Sequence, residues 1–191
     1  MLALGITGPP ASGKDRAAIY LSERYGFQHV STGDLLRQEA RRRNLDEERH
    51  TLQALGHSIR QEHGYDPLFR EALNSMQIDT VFTGIRTIDA AETLVASDHQ
   101  SSLIYIDAPL TVRYERSVKR QRGGETLGSF ATFQAMDEIE HNGTIEKNMS
   151  LNTLKEMAHF AIFNCGDIEL FYRDIKNVIM NVRNNEDQPP D

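Results

Sequence analysis

The sequence predicts an α/β fold, in which helices cover both faces of a parallel β-sheet, and three observations support this prediction. Short apolar segments alternate with longer segments whose apolar residues recur at helical spacing. A glycine-rich loop joins the first apolar segment to the first helical one. The length of 191 residues suits a single domain with one sizeable core. Because parallel strands need crossover connections, the alternation indicates a three-layer α/β/α arrangement.

Five apolar segments are predicted to form a five-stranded parallel sheet. Each is short, rich in aliphatic or aromatic residues and bounded by polar residues or glycine, which is typical of buried strands. The segments are residues 2–7, 27–30, 79–84, 101–108 and 159–163.

Helices are predicted wherever apolar residues recur every three or four positions. The predicted helical regions are residues 14–25, a long block at 33–76, the segment that starts at 109, and the segment that starts at 168. Inside the long block, Asp66 is predicted to be an N-cap residue, with Pro67 in the first turn of the helix that follows. The polar residues 184–191 are predicted to form a mobile tail.

The composition excludes several classes of protein. A net charge of −7 disfavours a general nucleic-acid binder, and the basic run at 41–43 is typical of a solvated helix face. No stretch approaches the roughly 18 uninterrupted apolar residues of a membrane span, so no membrane partner is expected. The single cysteine, Cys165, cannot form an internal disulfide, and no basic segment precedes the short apolar run at the start. We therefore expect a cytoplasmic protein.

The loop that follows the first predicted strand has the spacing of a phosphate-binding loop. Two glycines are separated by four residues, and a lysine follows the second glycine. Main-chain N–H groups in such a loop curl around a phosphate, while the next helix presents its positive N-terminal end. The lysine adds a point charge for the outer phosphates of ATP. The predicted binding residues are Gly8, Pro9, Pro10, Ala11, Ser12, Gly13 and Lys14.

Asp15 occupies the position after the lysine, where such loops usually have a serine or threonine hydroxyl that binds Mg²⁺. A carboxylate oxygen suits this hard cation at least as well as a hydroxyl. We therefore predict that Asp15 binds the metal, either directly or through water. The alternative is that Asp15 only stabilises the start of the helix, where negative charge is favourable.

Four segments in this order, "GPPASGKD", "STGDLLR", "GIRTIDAAE" and "APLTVRYERSVKR", resemble segments of adenylate kinase and other nucleoside monophosphate kinases. The resemblance covers roughly residues 1–122. The later segment "AHFAIFNCGDIELF" is similar to small archaeal and bacterial adenylate-kinase-like ATPases. The resemblance implies a P-loop NTPase fold, with ATP and Mg²⁺ as cofactors.

The resemblance also implies an acceptor site built from three segments. In "STGDLLR", Thr32 would approach the acceptor nucleoside, Arg37 its phosphate and Asp34 the water shell of the metal, although Asp34 has the spacing of a helix capping box with the preceding serine. Arg86, just beyond a strand end, would hold phosphate in a bidentate manner. Arg60, in the helical block, is a further candidate acceptor contact.

Arg116 and Arg120 are four residues apart and are therefore expected on one helix face. Two such cations are unfavourable together unless an anion lies nearby, and we expect ATP to be that anion. The resemblance implies that Arg116 lies on the adenine side and Arg120 beside the transferred phosphate. The predicted catalytic residues are Lys14, Asp34, Arg86 and Arg120.

The sequence departs from the family pattern at two positions. Thr83 stands where monophosphate kinases generally have an aspartate for the metal, and we expect Asp15 and Asp34 to compensate for it. Met136 stands where the lid would usually offer an arginine. The lid is predicted at 123–142, and its apolar residues indicate a packed helical side rather than a ligand site. His57, His63, His141 and Cys165 lack the spacing of zinc ligands.

The sequence therefore predicts one P-loop kinase domain, residues 1–183, with a helical acceptor-binding insertion at 33–77. The expected activity is ATP- and Mg²⁺-dependent phosphoryl transfer to a nucleoside monophosphate or a similar small phosphorylated acceptor. One alternative is a kinase for an alcohol acceptor, such as dephospho-coenzyme A or a modified nucleotide in DNA, the one way in which nucleic acid would be a partner. Another is a non-catalytic ATP-binding regulatory module. The sequence does not specify an oligomeric state.

Overall fold

The computed structural model describes residues 1–64, 66–120, 128–143 and 149–184. Its five strands are all parallel and lie in the order β2-β3-β1-β4-β5. Their bounds are β1 Leu2–Thr7, β2 Gln28–Ser31, β3 Thr80–Thr83, β4 Gln100–Asp107 and β5 Phe160–Phe163. The prediction of an α/β fold with a five-stranded parallel sheet is therefore confirmed.

The helices of the described residues lie between these strands in the chain, except for α9, which follows β5. They are α1 Lys14–Tyr25, α2 Thr32–Arg42, α3 Arg49–His63, α4 Pro67–Asn74, α5 Ile88–Val95, α6 Leu110–Arg120, α7 Phe130–Asn142, α8 Leu151–Met157 and α9 Ile168–Asn184. Apolar spacing did not predict α5 and α8, because helices of eight and seven residues are shorter than the window over which helical periodicity is visible.

The sheet separates two apolar cores, which makes the fold three-layered. On one face, α1 and α9 pack against β1 and β4 through residues such as Leu21, Ile179, Leu4 and Ile106. On the other face, the core includes the buried sides of α4, α5 and α8. Helices α2 and α3 of the segment between β2 and β3 share a smaller core of their own. Every residue of β1 is buried, as expected for the central strand of a doubly covered sheet.

Asp66 is the N-cap residue of α4 and Pro67 lies in its first turn, as predicted, but two side-chain bonds that the spacing suggested at helix starts are absent. Asp66 precedes α4 with φ 51° and ψ 44°, and its side chain makes no capping hydrogen bond. Its carboxylate instead accepts a hydrogen bond from the Thr87 hydroxyl, which follows β3 in the chain. Ser31 precedes α2 without a side-chain capping bond, so the capping-box alternative for Asp34 does not hold. At Asp66, a tertiary partner replaces the local bond that the spacing suggested.

The structure describes only part of the predicted lid and part of the predicted tail. Of the predicted lid, residues 130–142 form α7, whereas 123–127 lie outside the described residues. Of the predicted tail, Asn184 ends α9, and the remaining residues also lie outside the described residues.

Among the helices described, none has both the length and the apolarity needed to cross a bilayer. The division into one kinase domain with an insertion and a lid remains a prediction.

Candidate functional site

The glycine loop runs from the end of β1 to the start of α1, at the carboxyl edge of the sheet. Gly8 has φ +131°, and a Cβ added there would lie 2.1 Å from the carbonyl oxygen of Ile106 on β4. Gly13 has φ +116° and is the N-cap residue of α1. Glycine alone tolerates these positive φ values together with so close an approach to a neighbouring backbone. The loop can therefore pass close to β4 before helix α1 begins. This conformation directs the positive end of α1 toward the loop.

Lys14 lies folded against the loop main chain. Its Nζ donates to the carbonyl oxygens of Gly8, at 2.8 Å, and Pro9, at 2.6 Å. Burial, followed by the nearby positive charge of Arg86, lowers the pKa of Lys14 to about 8, although the carboxylates of Asp15 and Glu140 oppose the shift. The protein thus holds a cation at some cost, which a bound anion would offset.

The shifted pKa predicts that ATP binding takes up a proton. Free Lys14 loses its proton as the pH rises through about 8, and a bound phosphate would favour the charged form again. Binding at about pH 8.5 should therefore draw a proton from the buffer, and affinity should fall as the pH rises from about 8 toward the ordinary lysine pKa near 10.5. Calorimetry in two buffers of different ionisation enthalpy measures this uptake. An uptake of zero at that pH would contradict the prediction.

Arg116 and Arg120 extend from α6 to the same loop. Arg116 Nη1 donates to the carbonyl oxygens of Ala11, at 3.3 Å, and Ser12, at 3.4 Å. Arg120 Nη2 donates to Asp15 Oδ2 at 2.5 Å, and both side chains are nearly half exposed. The structure therefore brings together the two arginines, the loop and the first turn of α1, as their assignment to one ATP site requires.

Asn164, directly after β5, connects the loop to Arg116. Its Nδ2 donates to the Ser12 carbonyl oxygen at 2.8 Å, and its Oδ1 accepts from Arg116 Nη2 at 3.1 Å. The side chain is 7% exposed, so these bonds are shielded from water. We did not single out Asn164 from the sequence. The segment that contains it was noted only for its resemblance, and no spacing rule relates it to a loop 152 residues earlier.

Asn164→Asp is predicted to weaken ATP binding by about tenfold, the effect of about 1.4 kcal/mol. The aspartate would still accept from Arg116, but its oxygen would face the Ser12 carbonyl oxygen without a donor between them. The loop would then shift away from Arg116. Calorimetric titration with ATP measures the change, and Asn152→Asp on the exposed side of α8 is the control. An affinity equal to that of the control would show that this amide does not position the loop.

The acceptor-side residues lie at the start of α2 and in the segment after β3. Thr32 Oγ1 donates to the carbonyl oxygen of Gly84 at 2.9 Å, which joins these two segments. Arg37 Nη1 donates to Asp34 Oδ1 at 2.7 Å, so the predicted phosphate ligand and the predicted metal ligand pair with each other. Both of these side chains are more than a third exposed.

The two remaining acceptor candidates, Arg86 and Arg60, act on different groups. Arg86 is exposed and close enough to Lys14 to lower its pKa. Arg60, on α3, acts on the half-buried carboxyl of Asp66: burial raises the pKa of this group, while the Thr87 hydrogen bond and Arg60 oppose that shift. Arg86 therefore acts electrostatically on the lysine of the loop, whereas Arg60 acts on Asp66, the N-cap residue of α4.

Thr83 lies at the carboxyl end of β3 and is 2% exposed. Its Oγ1 is 2.8 Å from Nε2 of His29, on the neighbouring β2. The position where related kinases generally have an acid is therefore occupied by a hydroxyl that already has a partner.

The basic run at 41–43 pairs with acids of its own segment. Arg42 and Arg43 both donate to Glu39, with N–O distances of 2.6 Å, and Arg41 donates to Glu47 at 2.6 Å. The hydrogen bonds from Arg42 and Arg43 hold the pKa of Glu39 at about 2. These arginines therefore pair with acids within the segment between β2 and β3.

A buried ion pair joins α6 to α7. Arg113 Nη1 and Nη2 donate to the two carboxylate oxygens of Asp137 at 2.5 and 2.7 Å, and Arg113 Nε donates to the Ala108 carbonyl oxygen at 2.9 Å. The Arg113 and Asp137 side chains are 4% and 12% exposed. Nothing in the local sequence indicates that this arginine points into the fold.

The sheet order, the glycine loop after the central strand and the helices between β2 and β3 define a P-loop nucleotide-binding protein with a kinase-like fold of the adenylate kinase type. The family model described as "AAA domain" matches residues 7–133, from the end of β1 into α7. The chain belongs to this AAA domain family and to the UPF0200 proteins.

Two relatives support the family membership, and a solved structure supports the fold. A UPF0200 protein of Pyrobaculum aerophilum is 32% identical over 183 residues, which cover 94% of this chain and 98% of the relative. A UPF0200/UPF0201 protein of Archaeoglobus fulgidus is 30% identical, and the match spans 97% of this chain but 57% of that longer protein. The structure of shikimate kinase from Acinetobacter baumannii has a TM-score of 0.57 at 16% identity, with 97% of this chain and 95% of that one covered. This last likeness concerns the fold.

Proposed function

We propose that this protein catalyses ATP- and Mg²⁺-dependent phosphoryl transfer to a nucleoside monophosphate or a similar small phosphorylated acceptor. The observation that carries the proposal is the convergence of cations on one loop. Lys14 lies against it, Arg116 donates to it, Arg120 pairs with the first turn of the adjoining helix, and Arg86 acts electrostatically on Lys14. Phosphoryl transfer chiefly requires this positioning and neutralisation of phosphate oxygens.

Each cation has a distinct task in the proposed reaction. Lys14 would turn from the loop carbonyl oxygens to the outer phosphates of ATP, and Arg116 would support the nucleotide while it fixes the loop. Arg120 would leave Asp15 for the transferred phosphoryl group. Asp15 would then be available for the metal, and its carboxylate oxygen is the donor type that Mg²⁺ prefers. Mg²⁺ held there would help to neutralise the charge of the phosphate groups.

The acceptor would lie between α2 and the segment after β3. Arg37 and Arg86 would hold its phosphate, Thr32 its nucleoside, and Arg60 is a more distant candidate contact. A phosphate acceptor oxygen is already anionic and needs no strong base. If the acceptor is a hydroxyl, Asp34 is the candidate base, provided that it separates from Arg37.

An ATP-binding regulatory module is the second candidate, and two positions favour it. Thr83 offers no carboxylate at the end of β3, and the Met136 side chain is 61% exposed on α7 and offers no cation to a phosphate. Both features would slow phosphoryl transfer without preventing ATP from binding.

A screen with purified protein distinguishes these functions. ATP and Mg²⁺ are incubated with a panel of nucleoside monophosphates, dephospho-coenzyme A and hydroxymethylated DNA, and products are identified by mass. Phosphorylation of a nucleoside monophosphate supports the proposal, and phosphorylation of either alcohol would redirect it to the hydroxyl mechanism. Tight ATP binding without any phosphorylated acceptor would favour the regulatory module.

A further inference from the structure

Thr7 is the last residue of β1 and directly precedes Gly8, where the phosphate-binding loop begins. Its side chain is 0% exposed, and its hydroxyl donates to the carbonyl oxygen of Ile85 at 2.7 Å, an ordinary length for a bond of this type. Ile85 follows β3 and is 1% exposed, so the bond is shielded from water. It connects the start of the loop to a segment 78 residues farther along the chain.

A second threonine holds the same segment from the other side. In the sheet, β3 lies between β1 and β2, and Thr32 is the first residue of the helix after β2. Thr32 Oγ1 donates to the carbonyl oxygen of Gly84 at 2.9 Å. Gly84 has φ +84°, and a Cβ added there would lie 2.5 Å from Thr32 Oγ1, so glycine permits this close contact. Two successive carbonyl groups are thus held by hydroxyls that come from β1 and from α2.

The residue that follows Arg86 is also held. Thr87 is the N-cap residue of α5, and its Oγ1 accepts a hydrogen bond from the Ala90 main-chain nitrogen at 3.2 Å. The same hydroxyl donates to the carboxylate of Asp66, and Thr87 is 6% exposed. Arg86, between the buried residues Ile85 and Thr87, is itself exposed. The main chain is therefore fixed on both sides of an arginine whose side chain is open to a ligand.

An arginine grips phosphate at a defined place only if its main chain is fixed. The guanidinium binds phosphate oxygens through two parallel hydrogen bonds of strict geometry, and a displacement of about 1 Å can cost about 100-fold in rate. We infer that Thr7 is a positioning residue for Arg86, because its hydroxyl fixes the main chain directly before this arginine relative to the phosphate-binding loop.

This role of Thr7 rests on the proposed function, in which Arg86 holds the acceptor phosphate, and it adds a link between the two substrate sites. One buried hydroxyl joins the strand that leads into the ATP loop to the segment that carries the acceptor arginine. The charge of Arg86 also lowers the pKa of Lys14, which agrees with a position near the loop. Thr7 acts only through the main chain, since its side chain is enclosed by protein.

Thr7→Val tests this role, because valine has nearly the shape of threonine and lacks the hydroxyl. Thr7→Ser keeps the hydroxyl. The matched control is Thr80→Val at the opposite end of β3, since Thr80 is 1% exposed and donates to the Ile78 carbonyl oxygen at 2.9 Å. Calorimetric titrations with AMP, CMP, GMP and UMP identify the tightest binder, which is then used for every variant. We expect Thr7→Val to weaken its binding by about tenfold or more, and the other two variants to bind nearly as the wild type does.

A double-mutant cycle with Arg86→Gln separates positioning from a general loss of stability. If Thr7 acts through Arg86, Thr7→Val should weaken binding no further once the arginine is absent. If the hydroxyl only stabilises the protein, the two losses should add. Additive losses, or equal nucleotide affinities in Thr7→Val and Thr80→Val, would overturn the positioning role. Should Thr7→Val fail to fold, Thr7→Cys replaces it and is compared with Thr7→Ser, because a thiol is only a weak donor.

Backbone motion at Arg86 provides a readout that needs no ligand. Relaxation of ¹⁵N reports the order parameter of its amide, which is about 0.85 in a rigid segment and below about 0.6 in a flexible one. We expect this order parameter to fall in Thr7→Val and to stay high in Thr80→Val. If the wild type binds none of the four nucleotides, the proposed acceptor is wrong. An Arg86 order parameter that is equal in the two variants would then overturn the role of Thr7 as well.

Discussion

Replacing Lys14 with methionine is expected to abolish measurable ATP binding while leaving the folded protein at least as stable as the wild type. The ammonium group is the cation closest to the loop, where it bonds two carbonyl oxygens. Charge-assisted hydrogen bonds to phosphate are each worth about 1.5–3 kcal/mol, so the loss of two corresponds to a decrease of at least about 100-fold in affinity. Calorimetry with Mg²⁺ and ATP measures this decrease.

The expected stability follows from the lowered pKa of Lys14. A lysine whose folded-state pKa is about 8 binds its proton less tightly in the folded protein than in the unfolded chain. Its contribution therefore opposes folding below about pH 8, and this opposition fades as the pH rises toward 10.5. At pH 7, thermal unfolding of Lys14→Met should occur at or above the wild-type temperature. Lys119→Met, which removes an exposed charge from α6, should leave both ATP affinity and melting nearly unchanged.

ATP binding by Lys14→Met at wild-type affinity would refute the assignment of the loop as the phosphate site. A large drop in its melting temperature would show that the lysine supports the loop in the free protein, and the loss of binding would then have no bearing on phosphate contact.

Asp137→Asn is expected to lower the free energy of unfolding by about 3 kcal/mol, because it leaves a buried guanidinium without its counter-charge. Arg113 is 4% exposed and donates to both oxygens of Asp137. Removing one partner of such a pair costs more than replacing both with apolar residues of similar size. Urea denaturation followed by circular dichroism measures the loss.

The double variant Arg113→Met with Asp137→Leu provides the matched comparison. It should recover much of the stability lost in Asp137→Asn, since no buried charge remains. Glu138→Gln, on the exposed side of α7, should unfold at the wild-type urea concentration. A midpoint for Asp137→Asn equal to that of Glu138→Gln would mean that water reaches the pair and that α7 is held to α6 by other contacts.

The strand and helix pattern was predictable because it depends on residues near one another in the chain. Alternating apolar segments indicated all five strands, and apolar spacing indicated the longer helices. The N-cap position of Asp66 was predicted correctly, but its carboxylate bonds the Thr87 hydroxyl instead of the start of the helix, and a tertiary partner of this kind is not visible in the local sequence. Short helices such as α5 and α8 carry too few apolar residues to reveal their period, and they become visible only when the sheet is present for them to cover.

The site was predictable in part for the same reason. The glycine loop is a contiguous motif, so its conformation and position after β1 followed from its spacing. Arg116 was expected near ATP by resemblance, and it does lie against the loop. Its connection to Asn164 was not predicted, because a single amide in a polar segment has no pattern that distinguishes it from a surface residue.

The sequence by itself determined that this chain forms a parallel α/β sheet with a phosphate-binding loop after its first strand. These properties are encoded in the order of apolar residues and glycines along a short stretch of backbone. Only the tertiary structure decided which charges meet at that loop. Arg120 and Asp15 are 105 residues apart, and Asn164 and Ser12 are 152 apart. Such pairs depend on how α6 and β5 pack beside β1, and a shift of a few ångströms in that packing would separate charges that act only at contact distance.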